Sequence, residues 1–162
     1  MLPEYKTILH ATDLTKNSAY ALRHAVAIAR CHNAQVYLLH VLPDVEPAVL
    51  NYVSTVMGEE KLADYELKHK EDIRDEVRVS VHECAKTELL NSPELLSLIH
   101  EVEVHHGSPA SEVLEAAERL NADMIVIGSH GKGHVRHAFL GSLAKRLLRK
   151  STRPVLVVPL PK

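Results

Sequence analysis

The feature of this sequence that most constrains its fold is a fivefold alternation between short apolar runs and segments with helical periodicity. The apolar runs are rich in aliphatic and β-branched side chains, which is typical of strands buried on both faces. We predict that the strands are residues 7–10, Gln35–Leu42, residues 99–105, residues 124–129 and Val155–Val158. Strands that alternate with helices pair in parallel. The alternation therefore predicts an α/β fold, an open five-stranded parallel sheet with helices on both faces.

The predicted helices lie between these strands. Ser108 and Pro109 supply an N-cap and a first helical residue after the third strand. The long connection of residues 43–98 is less regular after Pro43 and Pro47 and has room for an extra helix. It then becomes charged throughout, which predicts one long exposed helix. The helical segments are residues 18–32, 59–90, 109–120 and 142–150, with a helical turn at residues 94–98.

Composition excludes several classes of protein. With 162 residues, 46% hydrophobic and 25% charged, the chain is expected to form a single domain over residues 1–162. A net charge of −2 gives no general attraction to nucleic acid or to an anionic membrane, and two cysteines make no disulfide framework. The N-terminal segment becomes charged too early for a signal peptide, and no apolar run would span a bilayer. We therefore expect a cytoplasmic protein.

Glycine is concentrated in one stretch, GSHGKGHVRHAFLGS at residues 128–142. Four of the six glycines (Gly128, Gly131, Gly133 and Gly141) lie there, directly after the fourth predicted strand. Glycine lets a ligand approach backbone N–H groups closely, and consecutive N–H groups form a concavity that binds anions. The next helix starts at Gly141 and Ser142, where the helix dipole favours negative charge. Ser142 is expected to cap this helix and to offer its hydroxyl to a phosphate oxygen.

The charge around this stretch agrees with an anionic ligand. Residues 128–153 contain seven basic and no acidic side chains, although the whole chain is slightly acidic. Two common phosphate-binding motifs are absent. The first strand is followed by ATDLT instead of the G-x-G-x-x-G dinucleotide fingerprint, and no G-x-x-x-x-G-K-[ST] loop occurs. The sequence therefore predicts a phosphate-bearing ligand held by a different motif.

That motif is Gly128-x2-Gly131-x9-Gly141-Ser142, which closely resembles the nucleotide-binding branch of the universal stress protein family. The resemblance covers essentially the whole chain except residues 43–98. It includes the segments ILHATD, LLHV, GSPASEVLEAA, ADMIVIGSHGKG and LGSLAKRLLRKSTRPVLVVP. It implies a Rossmann-like sheet with strand order 3-2-1-4-5 and a homodimer that pairs through Val155–Val158. It also implies ATP or AMP as the ligand, with Mg²⁺ as a candidate companion of the phosphates.

The resemblance also assigns roles to residues. Asp13 would hold the ribose or adenine end of the nucleotide, and Val41 would contact adenine. Glycines and Ser142 would cradle the phosphates, with Ser129 and His130 in the same loop. Thr12 and His40 join the candidate site because ligands of open α/β sheets bind beyond the carboxyl ends of the strands. The complete candidate site is Thr12, Asp13, His40, Val41, Gly128, Ser129, His130, Gly131, Gly133, Gly141 and Ser142.

Simpler interpretations exist for some of these residues. Asp13 could merely structure the turn before the first helix. The pattern of His130, His134 and His137 would suit a metal on a helix, but the glycines between them favour a loop, and we predict no metal site. The other histidines near strand ends either titrate near neutral pH and make binding pH-sensitive or are polar residues at the rim of a crevice. These histidines are His10, His40, His105 and His106.

Catalysis has little support in the sequence. Asp13 is the one acidic residue in the predicted site segments, and no nucleophile elbow or paired-carboxylate motif occurs. We therefore predict no catalytic residues and a regulatory stress-response protein that binds ATP or AMP. Two alternatives stay open: a weak ATPase or phosphotransferase that uses Asp13 and a divalent metal, and an interaction module that binds no nucleotide. The basic helix at Ser142–Lys150 lacks aromatic partners, so nucleic acid is not an expected ligand.

Overall fold

The structure is a computed structural model that describes residues 1–44, 46–130 and 140–161. Eleven helices and strands follow one another in these segments. In chain order they are β1 (Thr7–Thr12), α1 (Lys16–His32), β2 (Gln35–Leu42), α2 (Pro47–Met57), α3 (Glu59–Glu88), a 3₁₀ helix (Pro93–Leu98), β3 (Ile99–His106), α4 (Pro109–Arg119), β4 (Met124–Gly128), α5 (Ser142–Lys150) and β5 (Val155–Val158).

The five strands form one parallel sheet in the order β3-β2-β1-β4-β5. β1 is the central strand and pairs with β2 on one side and β4 on the other. β2 and β3 therefore lie on one side of β1, and β4 and β5 lie on the other side. The predicted fold class and the strand order implied by the resemblance are confirmed.

Each face of the sheet is covered by its own pair of helices. Successive residues of a strand point to opposite faces, so Ile8 packs towards α1 and α3 while Leu9 packs towards α4 and α5. In β4, Val126 packs on the same face as Ile8, and Ile125 packs on the same face as Leu9. Burial on both faces is the physical reason that these strands read as continuous apolar runs.

The connection between β2 and β3 is more regular than its sequence predicts. α2 begins at Pro47. Proline is tolerated in the first turn, because its missing N–H breaks no helical hydrogen bond there. The sequence predicts that α3 is an exposed helix, but one stripe along its second half is buried. Val81, Ala85 and Leu89 recur every four residues and are buried beside α1. This apolar stripe is hidden in the sequence among charged residues that face solvent.

β1 continues to Thr12, so His10 lies inside the strand instead of following it. Its side chain is 1% exposed, and Nδ1 donates a hydrogen bond to the carbonyl oxygen of Val126 over 3.0 Å. Burial lowers the pKa of His10 from 6.5 to about 4, and it outweighs the opposing effects of that hydrogen bond and of Asp13. Neither alternative given for His10 therefore fits, because its imidazole is neutral near pH 7 and is buried inside the sheet instead of lying at the rim of a crevice.

The buried imidazole predicts a loss of stability in acid. The unfolded chain binds a proton at this residue below about pH 6.5, whereas the folded chain resists protonation until about pH 4. Stability is therefore lost as pH falls through this window. We expect the free energy of unfolding to fall between pH 7 and pH 5 by about 2 kcal/mol more in the native protein than in His10→Asn. Asparagine keeps an N–H donor for Val126 but does not ionise.

Urea unfolding of both proteins at the two pH values measures this difference. Other ionisable groups affect the two proteins alike, so the comparison isolates residue 10. An equal loss of stability in both proteins would contradict the assignment of a neutral, buried His10.

Candidate functional site

A cavity of about 550 Å³ opens at the carboxyl ends of β1, β2 and β4. Its volume lies in the range of small-molecule sites. Every predicted site residue that the structure describes lines this cavity, while Gly131 and Gly133 lie outside the described residues. The nine lining residues are Thr12, Asp13, His40, Val41, Gly128, Ser129, His130, Gly141 and Ser142.

The cavity has an apolar end and a polar end. The apolar end lies between β2 and α4 and includes Val41, Leu42, Pro43, Pro109 and Val113. The polar end lies where β4 approaches α5, and β1 stands between the two. Sequence reasoning missed Pro109 and Val113 as lining residues, although the predicted helix start after the third strand was a signal for them.

The turn between β1 and α1 is built by side-chain hydrogen bonds around Asp13. Oδ1 of Asp13 accepts from the backbone N–H of Thr15 over 3.0 Å and from the Thr15 hydroxyl over 2.5 Å. The Thr15 hydroxyl oxygen in turn accepts from the N–H of Ser18 and caps α1. Leu14 has φ of 64°, an unusual value for a bulky residue, and its side chain packs against the core. Asp13 therefore structures this turn and also faces the cavity.

A second set of hydrogen bonds ties the end of β1 to the end of β2. The Thr12 hydroxyl oxygen accepts from the N–H of Leu14 over 3.1 Å and from the Ser18 hydroxyl over 2.8 Å. Nδ1 of His40 donates to the backbone carbonyl of Thr12 over 2.7 Å. His40 is 5% exposed, so this bond holds its ring in one orientation at the cavity wall.

α5 begins at Ser142, and its N-cap is Gly141. The prediction that Ser142 caps this helix is wrong, because Ser142 is already the first helical residue. The N–H of Gly141 donates to the carbonyl of Ser129 over 2.7 Å, which joins the start of α5 to the end of β4. The first-turn N–H groups of a helix lack intrahelical acceptors and carry the positive end of its dipole. Exposed Lys145 adds positive charge to this helix.

Packing inside the protein is a further reason for glycine at residue 128. A Cβ atom at this position would lie 2.9 Å from both Cγ and Oδ1 of Asn17, closer than side chains pack. Asn17 is buried in the first turn of α1, and sequence reasoning missed it. Its place in the first turn after β1, directly behind the predicted site, was the available signal.

The other strand-end histidines lie outside the lining of the cavity. His105 contacts Glu103 through Nε2 over 2.9 Å and Glu112 of α4 through Nδ1 over 3.1 Å. Glu103 is buried and also pairs with Arg119 of α4. These contacts hold α4, and with it the apolar end of the cavity, against β3. Burial, followed by the charge of Lys70, lowers the pKa of His106.

Within residues 1–44, 46–130 and 140–161, no three His, Cys, Asp or Glu side chains are grouped so as to hold a metal ion. His134 and His137 of the alternative metal site lie outside the described residues. No helix in the described part of the chain is long and apolar enough to cross a membrane.

Family, sequence and structure comparisons relate this chain to known proteins. A model of the universal stress protein family matches residues 4–159. The chain is 32% identical over 157 residues to universal stress protein MJ0577 of Methanocaldococcus jannaschii, which covers 95% of this chain and 94% of the relative. A solved structure of MJ0577 superposes with a TM-score of 0.73 at 28% identity and covers 99% of both chains.

A more distant structure extends the likeness of the fold. A universal stress protein solved in complex with cAMP has a TM-score of 0.57 at 20% identity and covers 97% of this chain and 98% of its own. At that identity it supports the fold alone. From the family match and the identity to MJ0577 together, this chain belongs to the universal stress protein family.

Proposed function

We propose that this protein binds ATP or AMP at the carboxyl edge of its sheet and acts as a nucleotide-dependent regulator in the stress response. The observation that carries the proposal is the sequence of surfaces along the cavity. An apolar wall lies beside β2, hydroxyl and carboxylate groups lie at β1, and serine side chains with the N-terminus of α5 lie where β4 approaches α5. A nucleotide presents base, ribose and phosphates in the same order.

The base fits the apolar end. Val41 and Leu42 from β2 and Pro109 and Val113 from α4 line this part of the cavity. Apolar walls on both sides suit the faces of a planar ring, while the edges of the ring hydrogen-bond to backbone groups. We infer that adenine lies here, as the family resemblance implies for Val41.

The ribose fits beside Asp13. Asp13 presents its carboxylate on the cavity wall, and a carboxylate accepts hydrogen bonds from hydroxyl groups such as those of a ribose. The bonds to Thr15 hold the Asp13 side chain in one position, so a hydroxyl that binds to it does not have to order it first. Thr12 lies next to it on the cavity wall.

The phosphates fit at the polar end. Ser129, His130, Gly141 and Ser142 line it, and the N-terminus of α5 faces the same space with an exposed basic helix behind it. An anion there gains from the dipole and from first-turn N–H groups. We expect Gly131 and Gly133 to add backbone contacts to the phosphates, and Mg²⁺ to accompany a triphosphate. The solved relative in complex with cAMP is a different protein, so the proposal rests on the residues of this chain.

The first test identifies the ligand and then blocks the proposed phosphate site with a substitution. Mass spectrometry of the denatured, purified protein is expected to detect ATP or AMP. Gly141→Val should abolish nucleotide binding in calorimetric titrations, because the added side chain enters the space of the phosphates. The fold should persist, since φ of −69° and ψ of 164° at this residue are extended values that valine adopts.

A matched control places valine at the N-cap of another helix. Glu46→Val changes the exposed N-cap of α2, which has no side-chain capping bond, and should leave affinity unchanged. Native affinity in Gly141→Val would show that the phosphates do not lie at α5.

We further propose that the nucleotide is bound and not turned over rapidly. Asp13 is the one carboxylate among the described residues of the cavity wall, and it helps to cap α1. In single-turnover experiments, bound ATP should be recovered unchanged with and without Mg²⁺ on the time scale of binding. Rapid, Mg²⁺-dependent release of ADP would instead establish an ATPase.

The setting that we propose is a cytoplasmic homodimer paired through β5. β5 is an edge strand of four aliphatic residues, and an uncovered edge of this kind is prone to pair with another chain. Leu160, just after the strand, is 43% exposed. Pairing of two copies would cover the edge and this side chain together.

Sedimentation equilibrium tests the homodimer. The native protein should have twice the 18.0 kDa mass of the chain. Leu160→Lys should shift the equilibrium towards monomer, because it places a charge on the surface that pairing would cover. Val49→Lys, at an exposed apolar position of α2, is the control and should remain dimeric. A monomeric native protein, or equal dissociation of both variants, would exclude pairing through β5.

A further inference from the structure

Asn17 joins three parts of the chain behind the polar end of the cavity. It is 3% exposed, and its Nδ2 donates to the carbonyl oxygen of Val158, at the end of β5, over 3.0 Å. Its Oδ1 accepts from the backbone N–H of His130 over 2.8 Å and from the Ser129 hydroxyl over 3.3 Å. A backbone N–H only donates and a carbonyl only accepts, so these partners determine which amide atom is which.

The peptide group between Ser129 and His130 is held on both sides. Its N–H donates to Asn17, and its C=O accepts from the N–H of Gly141 over 2.7 Å. The N–H of Ser129 also donates to Val158 over 2.8 Å. This peptide plane is therefore tied to α1 and to the N-cap of α5, and the preceding one, between Gly128 and Ser129, is tied to β5. The orientation of the peptide between Ser129 and His130 sets the direction in which the chain leaves β4 along the cavity wall.

The packing around Asn17 is as specific as its hydrogen bonding. The carboxamide occupies the space that a side chain at residue 128 would need, with 2.9 Å from the position of that Cβ to Oδ1 of Asn17. A buried N–H that loses its acceptor is costly, and at 3% exposure little solvent reaches Asn17 to replace it. Without Asn17, the N–H of His130 would lose its acceptor, and the peptide between Ser129 and His130 would rotate so that this N–H reaches another acceptor.

We propose that Asn17 is a positioning residue for the phosphate end of the nucleotide, a role that rests on the proposed nucleotide binding. Asn17 is not among the described residues that line the cavity, so it acts through the peptide between Ser129 and His130. Its polar contacts are confined to the ends of β4 and β5. The base and ribose positions at Val41 and Asp13 do not depend on them.

Because Asn17 is proposed to position only the phosphate end, a comparison of ATP with adenosine measures its role. Calorimetric titration of Asn17→Ala should show ATP binding weakened about tenfold, as expected for the loss of a buried hydrogen bond that positions a charged group. The affinity for adenosine, which lacks phosphates, should stay within about twofold of the native value. Ala21→Gly, at a buried position of α1 without polar contacts, destabilises the same helix and should change neither affinity.

Gly128→Ala disturbs the same contact from the other side. The methyl group would displace the Asn17 carboxamide, so ATP binding should weaken, again without an effect on adenosine. In the double variant Asn17→Ala, Gly128→Ala the methyl group has room and should cause no further loss. The single variant Gly128→Ala also carries the test if Asn17→Ala fails to fold, because it displaces the Asn17 side chain and does not remove it.

The outcomes separate the two proposals. If the native protein binds neither ATP nor adenosine, the proposed function fails and this role fails with it. If the native protein binds ATP more tightly than adenosine, but Asn17→Ala weakens both equally or neither, the function stands and the positioning role is wrong. Equal losses from Gly128→Ala in both backgrounds would show that residue 128 acts on the ligand without Asn17.

Discussion

The parallel pairing of β1 with both β2 and β4 is the constraint on which the rest of the structure depends. The chain builds outward from β1 on one side and then returns to continue on the other. The connections that follow β1 and β4 therefore diverge, and a crevice opens between them at the carboxyl ends of the strands. The cavity is a consequence of this topology, and its walls come from four segments distant in sequence.

Side-chain hydrogen bonds hold the walls of the crevice where strand pairing ends. Thr15 binds Asp13, His40 binds the carbonyl of Thr12, and Asn17 binds the peptide after Ser129. Each bond satisfies a polar group at the end of a strand that has no further ladder partner. The site residues are consequently ordered by the protein itself, and a ligand that binds there does not have to order them.

The prediction from sequence succeeded where a local pattern has one physical meaning. Four apolar runs and the alternation of residues 99–105 predicted the strands to within two residues, because both patterns are typical of strands in a sheet with helices packed on it. It failed in the connection of residues 43–98, where Val81, Ala85 and Leu89 form a buried stripe that surrounding charges conceal. It also failed for His10, because the same residue type reads as a polar strand end or as a buried side chain until the end of the strand is known.

The sequence by itself determined the α/β class, the order and approximate positions of the strands, and the cluster of glycines beside basic residues. These features are local, since they follow from side-chain periodicity and from backbone freedom at glycine. Only the tertiary structure decided that Asn17 lies against Gly128, that Gly141 instead of Ser142 precedes the first turn of α5, and that Pro109 and Val41 line the same cavity. Contacts of this kind join distant residues, as the bond between Asn17 and His130 joins residues 113 positions apart. They form only when the sheet brings the ends of its strands together.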